Sequence, residues 1–364
     1  MTSFFLQAIT AIGDALLGRG DHAVTVPPMD GALQPNQALE TARGLLSIDQ
    51  PDNLAAAGDA VFLSSGQALY RWDGGASPCE VVKTFPAAIT CVAALPDGSL
   101  VVGTESGEIS FLGGDQDGRT LTQLGDYRSF CPTAIISAGG GQIIVAEGSA
   151  HHRPGAWRRS LMSRDRSGSV WRLDPKGGGA KCLAHSLAYP SGLSLHPSGG
   201  LVVSESWRHR LLRVPFDGGA SAVLVADLPG YPGRLSPSWD GGYWLCVFAP
   251  RSQLVEFVLR EPKYLSRMMS EVPESYWVAP SLASGRDFRE PLQGGAIKSM
   301  GILKPWAPTR SYGLVVKLDR SYLPVDSMHS RADGRRHGVT SALEWRGELY
   351  VASRGGDQIV AVSR

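Results

Sequence analysis

The stretch GDAVFLSSGQALYRWDGG, residues 58–75, decides the fold. A glycine turn opens it, an apolar run follows, a Ser-Gly break reverses the chain, and a second apolar run ends on Asp-Gly-Gly. Glycine at such breaks supplies the positive φ that tight hairpin turns need. The pattern returns as DGSLVVGTESGEISFLGG (97–114) and as GGQIIVAEGS (140–149), whose second run is delayed to SGSVWRLDP (167–175). It returns again as SGGLVVSESWRHRLLRVPFDGG (198–219), DGGYWLCVFAP (240–250) and RGELYVASRGGDQIVAVSR (346–364), six copies in all.

Each copy has further strand-like neighbours. Upstream lie LAAAG at Leu54, TCVAAL at Thr90, TAIISAG at Thr133, GLSLHP at Gly192 and TSALEW at Thr340, with the less apolar GRLSPSW at Gly233. Downstream lie CEVVKTF, KCLAHSL and SAVLVADL. Four antiparallel strands in roughly 40 residues, repeated, are the mark of a β-propeller. A β-sandwich does not account for six similar turns, and a β-helix needs shorter rungs. The expected fold is therefore all-β, a six-bladed propeller with blades starting near Asn53, Ile89, Thr133, Ser191, Gly233 and Thr340. The last copy holds three strands. A fourth, from the region Leu39 to Ile48, would close the ring and remove its open edges.

Composition agrees and narrows the function classes. Glycine accounts for 44 of 364 residues, charged residues are 19%, and the net charge is +1. So balanced a chain is not a nucleic-acid binder by default. It also has no apolar run of about 18 residues, so no transmembrane segment is expected. The five cysteines form no CxxC pair and sit in or beside apolar runs, as reduced buried thiols do. The N-terminus MTSFFLQAITAIGDALLGRG lacks a basic start, and Gln7 and Asp14 interrupt its apolar stretch. A cytoplasmic location is the expectation. Phe5, Ala8, Ile9, Ile12 and Leu16 fall at helical spacing instead, which predicts an N-terminal amphipathic helix. The domain reading is a helix and lead-in over 1–34 and one propeller over 35–364.

Two insertions break the rhythm. Residues 148–166 include AHHRPGAWRRSLMSRDR, rich in Arg and His. Residues 251–310 include VEFVLREPKYLSRMMSEV, with helical periodicity until Pro273, and then a Pro/Gly/Ser-rich loop. Long insertions are either lids over a site or surface decoration. His151 and His152 are adjacent, so their side chains diverge and do not form a metal pair. No GxSxG elbow and no P-loop is present.

YPSGLSLHPSGGLVVSESWRHRLLRV (189–214) and LPGYPGRLSPSWDGGYWLCV (228–247) resemble the strictosidine synthase-like family. So do SGSVWRLDP, YGLVVKLD and VTSALEWRGELYVAS, and the resemblance runs from Pro51 to Arg364. It implies a clan of six-bladed propellers that includes gluconolactonase-type and paraoxonase-type enzymes. In the hydrolytic members it further implies a calcium ion in the channel, held by carboxylates and amides from the starts of the innermost strands. Asp52 and Asn53 fit that role as oxygen donors. The next positions depart from it: Thr133 stands where an amide is usual, Ser191 where Asn is usual, and Gly233-Arg234 where Asp-Asn is usual. In the plant synthases a glutamate near the start of the last blade acts as acid and base. Thr340 occupies that position here, and Glu344 lies about 13 Å further along the strand.

The site reading follows from those substitutions. Asp52, Asn53, Thr133, Ser191, Arg234 and Thr340 are the candidate ligand-binding residues, with Asp52 and Arg234 as candidate catalytic groups. Arg234 would replace the metal as the fixed positive charge, oriented by Asp52. The alternative is an Arg234–Asp52 pair that simply plugs the channel. No cofactor is expected. The expected ligand is a small anionic or polyhydroxylated metabolite, handled by a metal-independent hydrolase or lyase-type enzyme. The first alternative is a non-catalytic binding propeller, and the second is a calcium-dependent lactonase or esterase. A scaffold would instead show a channel filled by large apolar side chains.

Overall fold

A computed structural model describes residues 25–74, 78–176, 179–291, 298–299, 302–303 and 310–362. The expected N-terminal helix over Phe5 to Leu16 lies outside the described residues. Six four-stranded antiparallel sheets form the blades of a propeller. Their innermost strands are Pro51–Ala57, Ile89–Ala94, Pro132–Gly139, Pro190–Leu195, Gly230–Pro237 and Val339–Trp345. Every expected blade start falls inside one of these strands.

The ring closes with one blade shared between distant parts of the chain. Arg43–Ser47 pairs antiparallel with Gln358–Val362 and completes the sixth blade. This strand is shorter than the Leu39 to Ile48 region predicted for it. Leu39 sits instead in a helical turn, Ala38–Thr41, and is fully buried between blades five and six.

The strands explain the packing. Second strands are buried on both faces: Leu100–Thr104, Leu201–Glu205 and Tyr243–Pro250 have no exposed residue. Such strands read as continuous apolar runs, because neighbouring blades cover both sides. Each pair of adjacent blades encloses one apolar layer, six layers around the ring. Outer strands face water. Glu80–Thr84 is exposed along its whole length, and its charges guard a sheet edge against pairing. All five cysteines are free. Burial pushes the Cys91 and Cys246 thiols up to about 12, so both pack as neutral apolar groups.

Both insertions join the second and third strands of their blades, the third and the fifth. The continuous helical pattern predicted up to Pro273 is two helices, Gln253–Val258 and Pro262–Glu271. Pro262 causes the break, since a residue before proline is pushed out of the helical region. A seventh apolar cluster joins the insertions to the propeller. Leu161 and Met162 from the first meet Val255, Leu265, Met268 and Trp277 from the second, over Tyr231 and Phe248 of blade five. No helix among the described residues is long and apolar enough to cross a membrane.

Candidate functional site

Asp52, Thr133, Ser191, Arg234 and Thr340 line one cavity of about 200 Å3 at a mouth of the central channel. They converge because each stands near the start of an innermost strand, and those starts ring the axis. Asn53 does not line the cavity. Its backbone is left-handed (φ 59), a region asparagine tolerates, and its Nδ2 donates to Ser64 Oγ at 2.8 Å within blade one.

The side chains at the cage positions stitch neighbouring blades together. Thr133 Oγ1 of blade three donates to the carbonyl of Pro190 in blade four at 2.5 Å. Ser191 Oγ donates to the carbonyl of Pro232 in blade five at 2.9 Å, and Ser206 Oγ reaches the same oxygen at 2.7 Å. Ser204 Oγ donates to the carbonyl of Gly233 at 2.6 Å. Blade six accepts from blade one where the Leu54 amide meets Ser341 Oγ at 3.0 Å. The Thr133, Ser191, Ser204 and Ser206 hydroxyls satisfy buried carbonyls, and Ser341 satisfies a buried amide, groups that would otherwise cost free energy.

Arg234 completes the ring from blade five. Its Nη1 donates to Asp52 Oδ1 of blade one at 2.5 Å and to the Thr340 carbonyl of blade six at 2.9 Å. Its Nη2 donates to the Thr90 carbonyl of blade two at 2.6 Å. Asp52 Oδ1 also accepts the Asn53 amide at 2.8 Å. Arg234 lines a second cavity too, of about 540 Å3, toward the other mouth. Its side chain is thus the partition across the channel. Among the described residues, large apolar side chains do not fill the mouth, which keeps a cavity.

Three lining groups were not singled out in the sequence. Arg354 follows the second strand of blade six, and its Nη1 lies 3.4 Å from Asp52 Oδ2. Its Nε has no hydrogen-bond partner. Glu105 follows the second strand of blade two and accepts the Gly155 amide at 3.2 Å. Tyr189 is 7% exposed with φ 58. Burial pushes its hydroxyl well above its ordinary value, so the group stays protonated and able to donate. Arg354 and Glu105 occupy the same place in the repeat, directly after a second strand, where the two insertions also leave. That shared place was the available signal.

The insertions roof this mouth. Pro154, Gly155 and Trp157 from the first and Leu282 from the second line the cavity. They are fastened to each other and to the ring. Arg158 Nε donates to the Pro280 carbonyl at 3.1 Å and its Nη2 to Ser281 Oγ at 3.0 Å. Arg153 Nη1 donates to the Glu105 carbonyl at 2.7 Å and its guanidinium lies 4.4 Å from the Phe130 ring centre. The Leu282 carbonyl rests on blade six, where a side chain at Gly355 would come within 1.8 Å of it and one at Gly338 within 2.6 Å. Only glycine admits that approach. Glu344 takes no part in the mouth. It is buried and accepts from Ser238 Oγ at 2.8 Å, the Trp239 amide at 2.6 Å and Trp244 Nε1 at 2.7 Å, tying blade six to blade five.

Comparisons with known proteins agree with this architecture. The adipocyte plasma membrane-associated protein of Rattus norvegicus is 26% identical over 274 residues, covering 67% of this chain and 72% of that protein. For the mouse and bovine counterparts the matched part is 65% and 64% of the protein, just under two thirds. Protein STRICTOSIDINE SYNTHASE-LIKE 6 of Arabidopsis thaliana is 24% identical over 165 residues, 45% of this chain and 44% of that one. The chain is thus similar to proteins that carry these two names. No protein-family model matches it. The chain shares its six-bladed fold with a gluconolactonase from Xanthomonas campestris, at a TM-score of 0.54 and 15% identity over 92% of this chain and 96% of that one. At that identity the likeness speaks for the fold alone.

Proposed function

We propose that the channel mouth binds a small anion-bearing metabolite and does so without a resident cation. The observation that supports this reading best is the contrast between two arginines. Arg234 has three hydrogen bonds to fixed groups, whereas Arg354 has one long contact, to Asp52 at 3.4 Å. An under-used guanidinium beside the Tyr189 hydroxyl, under Trp157 and Leu282, suits a carboxylate or phosphate on a compact organic body. The volume of about 200 Å3 limits the ligand to a few heavy atoms beyond that anion.

A hard divalent cation fits the donor set poorly. It wants six or more oxygen ligands. The cage positions offer one carboxylate, Asp52, and the guanidinium of Arg234 already lies against it. Among the described residues no three His, Cys, Asp or Glu side chains gather to hold a metal. The same contacts weigh against Asp52 as a general base, since both of its oxygens face arginines. Binding is therefore favoured over catalysis. A metal-independent hydrolase remains the second reading on the strength of Glu105, a half-buried mouth carboxylate held by a single amide.

A thermal-shift panel of small carboxylates, phosphates and their neutral analogues tests the proposal. Anionic members should raise the melting temperature saturably, and Arg354→Ala should shift that response to about tenfold or more higher ligand concentration. An Arg354→Ala response equal to wild type would refute it. Hydrolysis of a lactone panel in the presence of a chelator, lost in Glu105→Gln, would favour the second reading instead.

A further inference from the structure

Behind Arg234 the channel changes character. All six blades line the cavity of about 540 Å3 on the far side of this partition. Ala56, Val92, Ile136, Leu195, Leu235 and Leu343 contribute to its wall, one from each innermost strand. Among the described residues that line it, Arg234 is the one charged side chain. The other polar side chains are serine and tyrosine hydroxyls and the Cys91 thiol. The first mouth, by contrast, carries Asp52, Glu105, Arg234 and Arg354.

Such a wall suits an apolar occupant. Water finds few partners in an aliphatic cavity, and poorly held water is displaced by an apolar group with a gain in affinity. The aliphatic surface continues to the opening, where Leu195 ends its strand 44% exposed. From Arg234 to Pro237, where the innermost strand of blade five ends, the depth is about 10 Å at ~3.3 Å per residue. An extended chain of about eight carbons spans that distance.

The floor selects the end of the chain. The Arg234 guanidinium group has five N–H bonds and commits three, to Asp52, Thr340 and Thr90. Two donors stay uncommitted among the described residues. The ion pair with Asp52 leaves the floor without net charge. A fully charged ligand would give up its hydration here without a counter-charge, whereas a neutral oxygen acceptor gives up little.

We propose that this half of the channel binds a slender, uncharged aliphatic molecule with a carbonyl oxygen at its inner end. The wall takes the chain, and Arg234 donates to the oxygen. The site is separate from the anion-binding mouth, and neither reading rests on the other.

Calorimetric titration with straight-chain methyl ketones tests the assignment. Affinity should rise about fourfold per added carbon from 2-butanone to 2-octanone and level off in longer homologues. 4-Octanone has the same size with its oxygen in mid-chain, and should bind about threefold or more weakly than 2-octanone. Octanoate and octylammonium should also bind more weakly. Ala94→Phe and Ser137→Phe put a ring into the bore from different blades, and each should weaken 2-octanone about tenfold or more. Ser137→Ala should bind as wild type does. Unliganded melting curves report whether each variant folds, and the chain-length series in wild type stands without them. Affinity that does not grow with chain length, or that is unchanged in a folded phenylalanine variant, overturns the site. 4-Octanone binding as tightly as 2-octanone overturns the role of Arg234, and octanoate or octylammonium doing so overturns the uncharged assignment.

Discussion

Arg234 Nη1 lies 2.5 Å from Asp52 Oδ1, and this contact joins blade five to blade one across the channel, past the blade that separates them in the ring. The pair is little exposed, with 22% of the arginine side chain and 7% of the aspartate side chain accessible. Removing Arg234 takes the short ion pair from Asp52 and this donor from the Thr90 and Thr340 carbonyls. Arg234→Ala should lower unfolding stability by about 2–4 kcal/mol, measured by urea denaturation. Asp52→Asn, which keeps a hydrogen-bond acceptor, should cost less. A double-mutant cycle should give a coupling of at least ~1 kcal/mol. Additive losses would mean that the two residues act separately.

The inter-blade stitches make a second prediction. Thr133→Val removes a hydroxyl that serves the Pro190 carbonyl while keeping the side-chain volume. Ser191→Ala does the same at the Pro232 carbonyl, where Ser206 remains as a second donor. The first should cost about 1–3 kcal/mol and the second less, because only the first leaves its inter-blade acceptor without a side-chain donor. Equal losses would contradict the stitching roles.

Arg354→Ala separates binding from stability. The side chain is 38% exposed and its one ion pair, at 3.4 Å, is long. Its removal should change stability by less than about 1 kcal/mol. Saturable binding of small anions at the mouth should fall about tenfold or more. A variant that melts far below wild type would show Arg354 to be structural.

Acid sensitivity has a specific source. His329 is fully buried between Tyr312 Oη at 3.1 Å and Ser327 Oγ at 2.8 Å. Burial lowers its pKa from 6.5 to about 4, so the folded state keeps the ring neutral. Between those values the unfolded chain binds a proton that the folded chain does not. Stability therefore falls as pH drops through that window, by up to ~1.4 kcal/mol per pH unit from this group, and is flat above it. His209 and His337 shift the same way through burial and add to the slope. His329→Gln should lose less stability between pH 7 and pH 5 than wild type. Parallel losses would place the sensitivity elsewhere.

The fold was legible because propeller blades write themselves as turns. AVFLSSG and LVVGTESG carry a hairpin each, and six such copies leave little room for another architecture. The convergence of Asp52, Thr133, Ser191, Arg234 and Thr340 was legible for the same reason, since equal places in a repeat become neighbours around an axis. Their hydrogen bonds were not, because whether Ser191 faces a ligand or the Pro232 carbonyl depends on how two blades approach. Tyr189 was missed as a turn residue, and Arg354 because its place just after a second strand repeats in the blades without repeating its residue type. The roof over the mouth was hidden too. It depends on Leu282 reaching Gly338 and Gly355, which lie far along the chain and in another blade.

A guanidinium held by Asp52 stands at the channel position where the resemblance to gluconolactonase-type propellers implies a metal ion. Calorimetric titration of calcium into the purified protein tests it most directly. No saturable heat and no rise in melting temperature with calcium are expected, in wild type as in Asp52→Asn. Saturable calcium binding to wild type that Asp52→Asn removes would contradict it.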